Sequence, residues 1–67
     1  MLEIEIDRED DGRWIAEIPA LPGVLAYGST RSDAIAGAQA LALRVLADRL
    51  DNGEPVPAEA AELFAAA

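Results

Sequence analysis

The sequence predicts an α+β domain, a three-stranded antiparallel meander with one long helix packed across one face. Three observations carry this expectation. Apolar and polar residues alternate from Leu2 to Asp7, the pattern of a strand with one buried face, and Arg13 to Pro19 sets Trp14, Ala16 and Ile18 on one face of a second strand. Two turn signals, Asp10-Asp11-Gly12 and Leu21-Pro22-Gly23, separate three strand-like runs. From Ser32 to Asp51 the apolar spacing lengthens to that of a helix.

In the first strand Leu2, Ile4 and Ile6 share one face, with Glu3, Glu5 and Asp7 on the other. The second, Arg13 to Pro19, sets Trp14, Ala16 and Ile18 on one face and Arg13, Ile15 and Glu17 on the other. Register selects the turn between them. A two-residue Asp11-Gly12 loop would send the two apolar sets to opposite sides of the sheet. A three-residue loop, Asp10 to Gly12, instead pairs Glu9 with Arg13, Ile6 with Ala16 and Ile4 with Ile18. Gly12 then takes the left-handed position such a loop needs. The same register places Glu5 opposite Glu17, with Glu3 and Asp7 on the same side and Ile15 apolar among them. Like charges directly opposite are unfavourable. Glu3, Glu5, Asp7, Ile15 and Glu17 are therefore a candidate docking surface for a basic protein, against the plainer reading of long side chains splayed into water.

Pro19 ends the second strand by removing a ladder donor. Leu21, Pro22 and Gly23 form a type II corner, Pro fixing φ and Gly taking φ > 0. Val24 to Tyr27 is a short third strand closed by Gly28. Thr30 is a good helix N-cap with Asp33 at N3. The helix, about Ser32 to Asp51, turns Ala34, Ile35, Ala38, Leu41, Ala42, Val45 and Leu46 toward the sheet. Leu43 and Leu50 fall outside that stripe and suit a second contact. Gly53 supplies the stop. Residues 1–57 thus form the β-β-β-α domain. After the extended Glu54-Pro55-Val56-Pro57, residues 58–67 read as a short helix with Pro57 at N1, or as a frayed tail. Leu63 and Phe64 are the residues there with most to bury.

Composition bounds the chemistry. At 67 residues this is one small domain, which buries a modest fraction of its surface and gains from self-association or a permanent partner. The sequence has no Cys and no His, which removes disulfides, thiolate ligands, and the commonest metal ligand and general base. Absence of Cys suits the cytoplasm. The formal charge of −8, with five Arg against thirteen acids, argues against a nucleic-acid ligand and favours a basic one. No apolar run approaches the ~20 residues of a membrane span. Glu9-Asp10-Asp11 lacks the alternating oxygen spacing of a calcium loop. Ser29, Thr30 and Ser32 have no His or Lys as base. No cofactor, metal site or catalytic residue is expected, and the chain is read as a binding protein, not an enzyme.

The ordered set Asp11-Gly12, Trp14, Ala16, Pro19, Leu21-Pro22-Gly23, Gly28, Thr30, Asp33-Ala34 and Gly53 with Val56-Pro57 resembles the HicB antitoxin family over about residues 4–57. That resemblance implies a partial ribonuclease-H-like fold, usually with a fourth strand. It also implies neutralisation of HicA, a small basic mRNA-cleaving toxin, by covering its active site. Many family members add a C-terminal DNA-binding segment. No such segment and no clear fourth strand follow Pro57 here, so direct DNA binding is not expected of these residues. A homodimer or larger assembly is expected. Two other readings stay open: a self-associating small domain of unassigned role with no toxin partner, and a metal-dependent nuclease using the strand carboxylates.

Overall fold

The computed structural model describes residues 1–66 and contains three strands and two helices. Strands β1 (Glu5–Arg8), β2 (Trp14–Glu17) and β3 (Leu25–Gly28) precede α1 (Arg31–Asp51) and α2 (Ala58–Ala61). The sheet is antiparallel in the order β1-β2-β3, and α1 packs across one face of it. Among the described residues the sheet has three strands, so the possible fourth does not form. Ala67 lies outside the described residues.

The first hairpin adopts the three-residue loop that side-chain parity demands. Ile6 pairs with Ala16 and Glu5 with Glu17, while the Glu9 amide donates to the Arg13 carbonyl at 2.7 Å. Gly12 stands at φ 91°, where a Cβ would crowd the backbone. With this register every even-numbered strand residue faces α1. Ala16 and Ile18 are buried beneath it, and Ile6, Trp14 and Ala26 pack against the same core.

Between β2 and β3 the chain makes two consecutive turns. The Leu21 amide donates to the Ile18 carbonyl at 2.9 Å across Pro19-Ala20, and the Val24 amide to the Leu21 carbonyl at 2.9 Å across Pro22-Gly23. Pro19 thus does more than end a strand, since its fixed φ suits the leading corner position of the first turn. Gly23, at φ 88°, takes the left-handed corner of the second. These turns carry Leu21 inward, where it is fully buried beside Ile18 and Val24. The corner is a piece of the core.

Strand β3 begins and ends one residue later than the spacing suggests, so Gly28 is its last member, paired with Trp14. Arg8 covers the Trp14 ring at 5.5 Å. Helix α1 starts at Arg31, capped by Thr30, whose Oγ1 accepts the Asp33 amide at 3.1 Å. The other half of a capping box is replaced: the Asp33 carboxylate accepts from Ser29 Oγ at 3.3 Å. Ala34, Ala38, Ala42 and Leu46 form the buried stripe of α1. Small residues let the layers close. A Cβ on Gly37 would lie 3.0 Å from that of Ala26. At the far end the Glu54 and Gly53 amides donate to the Arg49 and Leu50 carbonyls at 2.8 and 3.2 Å, a Schellman stop.

The C-terminal segment departs from expectation in what it buries. Pro57 is the N-cap of α2, not its first helical residue. Ala60 joins the core while Leu63 and Phe64 remain exposed. The small Ala60 reaches the core, whereas Leu63 and Phe64 line an open groove that the segment shares with α1. The N-terminal amine pairs with Glu62, bringing Met1 beside this segment.

Candidate functional site

Among the described residues no helix or strand covers the face of the sheet turned away from α1. Strand alternation puts the odd-numbered residues there. Across the three strands they form two rows, Glu5–Glu17–Leu25 and Asp7–Ile15–Tyr27. One side of this face is therefore acidic and the other apolar. Ile15 and Leu25 are half-buried and Tyr27 is 48% exposed. The five residues predicted as a docking surface, Glu3, Glu5, Asp7, Ile15 and Glu17, do come together, with Glu3 just ahead of β1.

Two shallow depressions shape the acidic side. One, of about 360 Å³, is lined by Glu5, Asp7, Glu9, Ile15 and Glu17 with Ile6. Another, of about 440 Å³, is bounded by Met1, Glu3, Glu5, Pro19, Ala20 and Glu59. Glu59 arrives from α2, more than fifty residues along the chain from Glu5. Nothing local in the sequence marks it, since only the fold-back of the C-terminal segment brings it here. Leu25 and Tyr27 were legible as odd-numbered strand residues, and register decides that they stand beside Glu17 and Ile15.

Charge pairing on this face is uneven. Arg13 Nε donates to Asp11 Oδ2 at 2.7 Å and its backbone amide to Asp11 Oδ1 at 3.1 Å. The Arg13 guanidinium also lies 4.5 Å above the Tyr27 ring, a cation–π contact. The backbone hydrogen bond from Arg13, and then its side chain, hold the Asp11 carboxyl below the usual Asp range. Arg13 is thus already engaged at the hairpin end. Among the described residues no ion pair reaches Glu3, Glu5, Asp7 or Glu17; Asp7 accepts only the Arg8 backbone amide, at 2.8 Å. These carboxylates point outward and do not converge. No group of three acids among the described residues could hold a metal ion, and no charged or polar residue is buried. An open array of carboxylates beside an apolar patch can present several acceptors at once to Lys and Arg side chains, with a dry centre to bury.

Searches against known protein families, curated proteins and solved structures found no match to this chain. No helix among the described residues is long and apolar enough to cross a membrane.

Proposed function

We propose that this chain is an antitoxin-like binding module that acts in the cytoplasm. Its open sheet face covers a small basic protein, a mRNA-cleaving toxin of the HicA type, and blocks the toxin's active site. The observation that carries this reading is the pairing of Glu5 with Glu17 on the uncovered face. An unfavourable like-charge pair of this kind becomes an asset once cationic side chains lie across both carboxylates. Glu3 and Asp7 extend the array, and Ile15 gives it an apolar centre. The ordered turn and cap residues that resemble HicB antitoxins supply the identity of the partner. The three-stranded meander with a helix across one face is the part of the implied fold that supports this reading.

The test begins in the genome and ends on a column. A short neighbouring reading frame should encode a basic protein, and its product should copurify with this chain. The complex should weaken with added salt and with Glu5→Lys combined with Glu17→Lys, and the chain should suppress RNA cleavage by the neighbour. A chain with no basic neighbour that captures no partner sinks the proposal.

A further inference from the structure

We infer that the outer face of α1, with the groove between it and the C-terminal segment, binds a second copy of this chain. Opposite its buried stripe the helix carries a second apolar series, Ala36, Ala40, Leu43, Ala47 and Leu50, spaced alternately four and three residues apart. That spacing keeps one seam facing a neighbouring helix. Leu43 and Leu50 are 60% and 57% exposed, and Phe64 beside them is 74% exposed. Leu43, Leu46, Leu50, Val56, Leu63 and Phe64 line one open groove of about 530 Å³. Met1 borders an adjoining hollow with Leu43 and Leu63. Four of the six large exposed apolar residues, Leu43, Leu50, Leu63 and Phe64, therefore lie on this one side, with Met1 at the edge it shares with the acidic depression, and concentrated apolar surface of this kind marks an interaction site.

Charge decides the occupant. Arg31, Arg44 and Arg49 balance Asp33, Asp48 and Asp51 along α1, so the net charge of −8 lies entirely outside it. Two copies meeting through their sheet faces would oppose acid to acid, whereas two meeting through α1 oppose helices with no net charge, the acids of the C-terminal segment, Glu54, Glu59 and Glu62, lying outside the apolar lining of the groove. The helix is also self-complementary in bulk. Its N-terminal half presents Ala36 and Ala40, and its C-terminal half presents Leu43 and Leu50 beside Phe64. An antiparallel pair sets large against small at both ends, as a two-fold axis requires. Room is sufficient. A stable interface takes about 800 Å² from each partner, about a sixth of the 4714 Å² that the chain exposes, and α1, with 21 residues, offers a face about 30 Å long. This inference does not rest on the proposed toxin partner, which occupies the opposite face.

Sedimentation equilibrium of the full chain, from micromolar to millimolar concentration, is the first test. The expected mass is twice the 7.0 kDa of the chain. Leu43→Glu combined with Leu50→Glu should raise the dimer dissociation constant on the order of a hundredfold or more, since each dimer would bury four new charges. Ile15→Glu combined with Tyr27→Glu should leave it within a few fold. Because an isolated subunit could lose structure, the wild-type arrangement is also read directly. The chain has no Cys, so a mixture of Ala36→Cys and Leu50→Cys chains should oxidise to a cross-linked pair faster than Ala36→Cys chains mixed with Glu5→Cys chains. A 7.0 kDa particle at all concentrations overturns the inference, as does a dimer broken by the sheet variants and spared by the helix variants. Loss of a basic partner in the sheet variants alone, with the dimer intact, separates this surface from the antitoxin reading.

Discussion

A methyl group on Gly28 would sit 2.4 Å from the Ala34 amide nitrogen and 2.9 Å from Asp33, because the start of α1 lies directly against the end of β3. The obstacle is backbone, which cannot swing aside. Gly28→Ala should therefore cost at least the ~1–3 kcal/mol typical of overpacking, read as a lower urea midpoint. Gly12 offers a contrast. A Cβ there meets nothing within 4 Å, but φ is 91°. Gly12→Ala should cost about 1–2 kcal/mol for the left-handed backbone alone, and Gly12→Asn less, since Asn tolerates that region. Neighbouring Asp11 gives a sharper residue-scale prediction. The largest cause of its lowered pKa is the Arg13 backbone amide, ahead of the guanidinium. In Arg13→Ala the Asp11 carboxyl should still titrate below the usual Asp range, though less far below it, by NMR. The sign follows from linkage. A depressed carboxylate contributes stability above its unfolded pKa, and that contribution disappears as pH falls through the lower folded value.

At the scale of elements, α1 is held by its ends and by small residues along its buried stripe. Thr30→Ala removes the acceptor for the Asp33 amide and should cost about 1 kcal/mol. Ala38 is fully buried on the stripe that meets the sheet, so Ala38→Leu should force the layers apart at a cost of roughly 1–3 kcal/mol. Urea denaturation followed by circular dichroism measures both. The elements that were legible in the sequence share one property: neighbours along the chain decide them. Parity between Ile6 and Ala16 fixes the first hairpin, Leu21-Pro22-Gly23 names its own corner, and Thr30 with Asp33 names the helix start. The C-terminal segment was less legible for the converse reason. Whether Ala60 or the bulkier Leu63 and Phe64 is buried depends on how the segment folds back onto the core, which no local pattern encodes. The arrival of Glu59 beside Glu3 and Glu5 was hidden for the same reason. The acidic face itself was legible because it follows directly from the register.

For the whole molecule, the decisive feature is how charge is divided between its two broad sides. Helix α1 is neutral, and the excess of acid lies on the first hairpin and the C-terminal segment. In the free domain the carboxylates of Glu3, Glu5, Asp7 and Glu17 repel one another without ion pairs among the described residues. Stability and binding should therefore respond to charge with opposite signs. Glu17→Lys places a cation opposite Glu5 and should stabilise the isolated chain by about 0.2–1 kcal/mol, while loosening its hold on a basic partner. Added salt should act in the same divided way, raising the thermal midpoint of the free chain by screening repulsion and weakening the complex by screening attraction. Thermal melts and partner titrations, run across one salt series with wild type and Glu17→Lys, read both quantities. If the substitution stabilised the chain and left partner affinity unchanged, the face would be a solvated surface and nothing more. Opposed effects of one substitution identify a surface whose unfavourable charge is held for a partner, because a face that only meets water gains nothing by retaining it.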